Sequence, residues 1–573
     1  MNAESAPAGT RRVAWLAALF LLALLPRLYS AQLLGWNWDG PGSFTLVNFD
    51  EGGSCRAALD GFDYSTFVGR QTIVIAAALG YSPPEGIAGH APAVKAWCHS
   101  PRHLVIARSY SAVTGALTAV LVAVIALQLV PSQPAVAWTA GALLALSGFH
   151  ISESHSGTVD APSVFFIYAF LAWMIFAVRR ASSTALAASP LLLVPAVWAK
   201  YWVFAIFAYT ALLPRRAWGY VTSGLEPRRM VLLVLATGVL FGLVTNPAFQ
   251  VESRYPLLGL FYLLVPWRRI HRPMAVFWLL VPVLAWLVTR VDIISSYTGG
   301  GVSGRFGSGY GAIGWHKWLR NLVNLPVVLL VGLSLPACLF LPAGILALAK
   351  RGLYTRPWLC LLVPLAAFAL YMAFLAPVTY YRHYLALLPG AALLAALGLY
   401  STTWGQRRWF VALFLLWPAL LAVDLVSDYY RDPRIELRAW YDQHPRARVL
   451  TSFYVSPPRQ YARNNRLFRP EYAEGDAVPL RQADYLILSE NWYDTAFANE
   501  LNGPLTGDLA RLVKTTPGYA RFYRAALAGK HPHLQLEEAL DVGNFMPELL
   551  VHRRFYGTFQ LFVGDIRIFR VVD

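Results

Sequence analysis

Charged side chains are scarce in this sequence: 14% of its 573 residues, where a soluble domain carries about 25%. That scarcity argues against a soluble globular fold. Several familiar signatures are missing too. There is no zinc-finger spacing, no Walker A loop, no Rossmann fingerprint and no internal repeat. The formal charge of +17 would on its own favour a nucleic-acid partner. Much of it, however, sits in short arginine clusters between apolar runs, where the positive-inside rule accounts for it and no nucleic acid is implied. Cysteine is sparse, with four residues.

Hydrophobic residues make up 57% of the chain, and several runs approach the roughly 20 residues needed to cross a bilayer. The sequence therefore reads as a polytopic α-helical membrane protein. Spans are expected near 13–34, 104–130, 134–150, 161–178, 184–199, 201–213, 230–246, 256–266, 274–290, 323–349, 357–376, 384–402 and 409–426. Two short pairs, 184–199/201–213 and 256–266/274–290, have the lengths of tilted or re-entrant segments. The N-terminal "RRVAWLAALFLLALLPRLYSAQ" has the parts of a signal peptide, but with so many spans following, an uncleaved first helix is the simpler expectation.

The basic clusters orient these spans. Arg11 and Arg12, Arg179 and Arg180, Arg215 and Arg216 with Arg228 and Arg229, Arg268, Arg269 and Arg272, Lys350 and Arg351, and Arg407 and Arg408 all fall on one side if there are about thirteen spans. That side is the cytoplasm. The opposite side, taken as the periplasm of a bacterial inner membrane, receives a first outer loop at about 35–103, segments 151–160 and 291–322, and everything after 426. Residues 1–426 are thus expected to form the membrane domain. Residues 427–573 change character: "RARVLTSFYVSPP" and "ADYLILSE" are strand-like runs between helix-prone stretches, and "GTFQLFVGDIRIFRV" reads as a closing hairpin. They form a C-terminal extracytoplasmic α/β domain. Cys55 and Cys98 share the first outer loop in an oxidising space, so a disulfide is expected, with two unpaired thiols as the alternative.

On this topology, ionisable groups gather at the outer membrane face. "TLVNFDEGG" carries Asp50 and Glu51, and "HISESHSGTVDAPSVFF" carries His150, Glu153, His155 and Asp160. Lys200 lies in "VWAKYWVF", Arg382 and His383 in "YYRHYLALLPG", and Arg108 one turn inside the second span. Ionisable residues at membrane depth are functional candidates by default. The carboxylates are on loops, open to a hydrophilic acceptor, and the cations are at helix ends, level with a lipid phosphate. Transfer of a sugar from a lipid phosphate needs this division: a base for the acceptor hydroxyl and cations for the departing phosphate. Each residue also has a plainer role. Asp50 and Asp160 suit helix caps, Lys200 a snorkelling side chain, and Arg382 a headgroup anchor. His150, Glu153 and His155 raise a metal site, but their spacing matches no strong ligand motif. The rival function is a transporter or lipid flippase, which would favour polar groups at the bilayer midplane.

The motifs resemble those of the GT-C superfamily of polyprenyl-phosphate-sugar-dependent glycosyltransferases, among them bacterial relatives of protein O-mannosyltransferases and the lipid A aminoarabinose transferase. "NFDEGG" resembles the acidic motif of the family's first outer loop, "IARSYSAVTGAL" its second span, and "SGTVDAPSVFF" the opening of its fourth. "WAKYWVF", "TNPAF" and "YYRHYLALLP" resemble its Lys turn, Asn-Pro and Arg-Tyr-Leu-Pro elements; "HAPAVKAW", with His90 and Lys95, is a fainter likeness that lacks the second proline. The resemblance implies a GT-C fold, an inverting transfer, and a polyprenyl-phosphate-sugar donor with a sugar, lipid or protein hydroxyl as acceptor. It casts Asp50 as base, with Glu51 and Asp160 lining the acceptor site. It casts Arg108, Lys200 and Arg382, with His383 beside it, as donor-phosphate contacts, and His90, Lys95 and His155 as candidate acceptor or loop contacts. No cofactor or divalent metal is expected. The glycine-rich segment 297–318 matches no family element and reads as a mobile loop.

Overall fold

The computed structural model of the chain describes residues 8–62, 64–182, 185, 188–200, 203–212, 315–350, 355–374, 380–452, 454–455, 457–468, 478–493, 517–556, 558–559 and 563–572. The spans expected at 230–246, 256–266 and 274–290, the "TNPAF" element and the glycine-rich segment up to residue 314 lie outside these residues.

The N-terminal part is helical: α1 (Ala8–Leu33), α2 (Gly53–Asp60), α3 (Thr66–Ala78), α4 (Ala91–Cys98), α5 (Pro101–Leu129), α6 (Pro134–Ala145), α7 (Gly148–Ser154), α8 (Asp160–Arg179) and α9 (Pro190–Lys200). After the undescribed stretch come α10 (Trp315–Leu333), α11 (Leu335–Lys350), α12 (Arg356–Phe374), α13 (Leu387–Tyr400), α14 (Arg408–Tyr430) and α15 (Pro433–Gln443). Five helices are long and apolar enough to cross a membrane by length and composition, or up to seven if each of two bent pairs is one span, among the described residues. The chain is a polytopic helical membrane protein on this count. α5 is the central element, packed on α1, α6 and α8. It starts cleanly because Ser100 accepts a hydrogen bond from the His103 amide and Pro101 takes the first helical position.

Two expected spans are broken. The run at 134–150 divides into α6 and α7, bent by 58°. A break in an apolar setting leaves carbonyls without partners, which is costly where water is scarce. Arg27 of α1 supplies the donors: its guanidinium reaches the Leu144 and Ala145 carbonyls at 3.2 and 3.0 Å and His150 Nδ1 at 3.1 Å. The run at 323–349 is likewise two helices, α10 and α11, bent by 115° at Ser334, which takes φ +88°. α11 then lies flush on α13. A Cβ on Gly344 would sit 2.0 Å from the Leu394 carbonyl oxygen, and one on Gly398 2.0 Å from the Phe340 oxygen.

The C-terminal part holds a five-stranded mixed sheet. Its strands are β1 (Val449–Thr451), β2 (Asn465–Leu467), β3 (Tyr485–Ser489), β4 (Leu534–Leu540) and β5 (Ile566–Val571), in the order β2-β1-β3-β5-β4. β1 runs parallel to β2 and β3, while β5 is antiparallel to both β3 and β4. The closing segment is therefore one strand inserted between two others, and the expected terminal hairpin gives way to long-range pairing. The C-terminal part also holds α16 (Pro517–Leu527) and α17 (Pro547–Tyr556). It is fastened to the membrane domain by carboxylates near the end of α14. Asp424 accepts from the Phe545 and Met546 amides at 2.8 and 2.6 Å, and Asp428 from the Asn544 side chain at 2.9 Å.

Candidate active site

The loop after α1 turns at Gly52, whose φ of +76° lies in the left-handed region, and Gly53 opens α2. A side chain at Gly52 would meet His99 at 2.6 Å, so the glycine lets the loop lie against the end of α4. A disulfide joins Cys55 of α2 to Cys98 of α4 and holds the two together.

Within this turn the adjacent carboxylates part company. Glu51 points inward and is fully buried. It accepts two bonds from Arg108, Nε to Oε1 at 2.7 Å and Nη2 to Oε2 at 2.8 Å, and further bonds from the Gly157 and Val47 amides at 2.8 and 2.9 Å. Arg108, also fully buried, gives its remaining Nη1 to the Leu34 carbonyl at 2.6 Å. Burial alone would raise the Glu51 pKa, but the Arg108 charge and this set of donors outweigh it and hold the carboxyl below its ordinary range. Glu51, expected to line the acceptor site, and Arg108, expected to grip phosphate, are paired with each other in the interior. Together they fasten the first outer loop to α5 and to the turn before α8.

Asp50 points the other way and stays partly exposed. Its carboxylate pairs with Arg382 Nη2 at 2.7 Å. Arg382 rides on a one-turn 3-10 helix, Tyr381–Tyr384, with its guanidinium 5.0 Å from the centre of the Tyr380 ring. Burial works against the Arg382 charge, yet Asp50, then Asp160, Tyr64 and Glu153, keep its pKa well above the ordinary value. A second pair lies beside the first: Lys200, at the end of α9, donates to Asp160 Oδ1, the first residue of α8. Asp160 also feels the charges of Arg382 and His383. Neither aspartate caps its helix, since α2 and α8 have no side-chain cap bond. Asp160 Oδ2 is buried and meets no hydrogen-bond partner among the described residues.

The other expected residues take different places. His383 packs edge-on to Tyr380. His155 is fully buried, edge-on to Tyr429 with ring centres 4.5 Å apart, close to the Glu51–Arg108 pair. His90 and Lys95 are exposed on the first loop, and His90 accepts from the Ala93 amide to cap α4. Neither shares an ion pair with the cluster among the described residues. Glu153 of α7 belongs to the cluster in their stead: it is buried and within the fields of Asp160, Arg382, Lys200 and Asp50. The sequence places Glu153 at this face with His150 and His155, but assigns it no role in the transfer. Among the described residues no three His, Cys, Asp or Glu side chains converge to hold a metal ion.

No family model matches the chain, and no curated protein matches it. Solved structures similar to it include the oligosaccharyltransferase AglB from Archaeoglobus fulgidus, in complex with an inhibitory peptide and a dolichol-phosphate. That match has 12% identity and a TM-score of 0.46, covering 99% of this chain and 89% of AglB. Another is ArnT from Cupriavidus metallidurans bound to undecaprenyl phosphate, at 14% identity and a TM-score of 0.40, covering 88% of this chain and 97% of ArnT. Both likenesses are loose. The chemistry of the site comes from its own residues: the partly exposed Asp50 paired with Arg382, and Lys200 paired with Asp160 beside it.

Proposed function

We propose that this protein transfers a sugar from a polyprenyl-phosphate donor to a hydroxyl acceptor on a glycan, lipid or protein, at the extracytoplasmic face and with inversion. The observation that carries the reading is the 2.7 Å pair between Asp50 and Arg382. It sets a base and a phosphate-binding cation one hydrogen bond apart on two different elements. The donor phosphate takes Asp50's place on Arg382, with Lys200 alongside. The acceptor oxygen forms a bond to the anomeric carbon as the bond from that carbon to the phosphate oxygen breaks. Asp50, released from Arg382, receives the hydroxyl proton, and polyprenyl phosphate departs with the bonding electrons. Arg382 and Lys200 contribute about the two positive charges that a departing phosphate needs, so the transfer requires no divalent cation.

The test is to incubate purified protein with polyprenyl-phosphate sugars and acceptor hydroxyls, with and without EDTA. Release of polyprenyl phosphate with transfer of the sugar, undiminished by EDTA, is the expected result. No consumption of any such donor would end the reading. If EDTA stopped turnover and Mg²⁺, Mn²⁺ or Zn²⁺ restored it, the carboxylates would have to be re-read as ligands.

A further inference from the structure

The C-terminal domain reaches the site by a route that the reaction above leaves unused. His552 of α17 is buried, and its Nε2 lies 3.0 Å from the Tyr381 hydroxyl. Phe559, just beyond α17, stacks on the Tyr381 ring with centres 4.7 Å apart and planes 15° from parallel. Phe559 also meets Phe149 of α7 edge-on at 5.2 Å. Tyr381 is the residue before Arg382, in a 3-10 turn of four residues. Such a turn has few hydrogen bonds of its own, so its side-chain contacts set where it sits. The domain is itself fixed at this level. Glu548, one turn before His552, accepts from the Leu335 amide at 2.9 Å and from Trp417 Nε1 at 2.7 Å.

We propose that His552 and Phe559 are positioning residues for the donor phosphate: by gripping Tyr381 they aim the Arg382 guanidinium. This rests on the reading of Arg382 as a phosphate contact. Through Tyr381, these two residues of the C-terminal part then set affinity for the lipid phosphate. A bidentate grip by guanidinium depends on orientation as well as charge, so an error in the turn shows as weakened phosphate binding.

The test is a double-mutant cycle on the full-length protein, read by titration with undecaprenyl phosphate. Tyr381→Phe keeps the ring and its stacking and removes one hydrogen bond, so a loss of about fivefold in affinity is expected. His552→Ala is expected to lose more, and His552→Gln to recover part of it. In an Arg382→Ala background the Tyr381→Phe effect should vanish, because there is no guanidinium left to aim. Equal Tyr381→Phe losses in both backgrounds would mean that the contact merely supports the fold, and the proposal would fail. An Arg382→Ala variant that binds undecaprenyl phosphate like wild type would instead remove the underlying reading of Arg382, and this proposal with it. Because Tyr381→Phe is so mild, the outcome does not depend on whether His552→Ala folds.

Discussion

Asp50 and Glu51 are neighbours in sequence with opposite fates. Glu51 is an internal anchor and Asp50 half of a partly exposed ion pair. Their substitutions should therefore differ in kind. Asp50→Asn should cut transfer by about 10²–10⁴-fold, the usual worth of a general base. The same variant should bind undecaprenyl phosphate at least as tightly as wild type, because Arg382 loses its competitor. A titration showing weaker binding would contradict the exchange of Asp50 for phosphate. Glu51→Gln should instead destabilise the protein by about 3–5 kcal/mol, the cost of leaving a buried charge unpaired, visible in thermal unfolding. His99 adds a pH dependence to the same loop. Burial, with the Lys95 and Arg56 charges, pushes its pKa down to about 4. A lowered pKa means stability that is complete above the unfolded value near 6.5 and lost as pH falls toward 4. Protection factors across residues 35–100, corrected for the intrinsic pH dependence of amide exchange, should thus fall between about pH 6.5 and 4, and His99→Gln should flatten that fall. Glu51, whose carboxyl Arg108 and its amide donors hold below the ordinary range, should release only at pH lower than an ordinary carboxylate would.

Among the elements, long uniform apolar runs were legible and their breaks were not. The positions of α1, α5, α8, α12 and α14 follow from composition alone, since each is a stretch of helix-favouring apolar residues of spanning length. The breaks do carry local cues, Ser147–Gly148 at the first and Ser334 with Pro336 at the second, but the apolar length of each run outweighed them. What makes them tolerable comes from afar: Arg27 for the first and Glu548 for the second. In the same way, the ion-pair partners of Asp50 and Glu51 could be named as candidates but not matched, because matching is a property of packing. The glycines of α11 and α13 illustrate the point. They read as ordinary small residues until the backbones meet. Gly398→Val would drive a branched side chain into the Phe340 carbonyl and should cost about 1–3 kcal/mol or more. Thermal unfolding in detergent would register it, and an unshifted midpoint would mean that the helices do not cross so closely.

For the molecule as a whole, the charge pattern and the change in composition near residue 427 pointed to a membrane domain followed by an α/β domain. Among the described residues, those after 427 form a five-stranded sheet, and Asn544 to Met546 are tied to α14 through Asp424 and Asp428. The 115° bend at Ser334 carries a further consequence, for biosynthesis. The bend turns the first amides of α11 away from any helical partner, and the Leu335 amide is satisfied by Glu548, 213 residues later. A ribosome making this chain must insert α10 and α11 well before their partner exists. During that interval the corner is open and must wait or borrow. Completion of the corner is therefore a late event, a form of proofreading in which the membrane domain registers that the distal domain has been made. Chains truncated before Glu548 should insert normally but be cleared faster than full-length protein in pulse–chase labelling. Glu548→Ala should reproduce part of that defect in a chain of full length. Equal lifetimes for all three would show that the corner closes without its distant carboxylate.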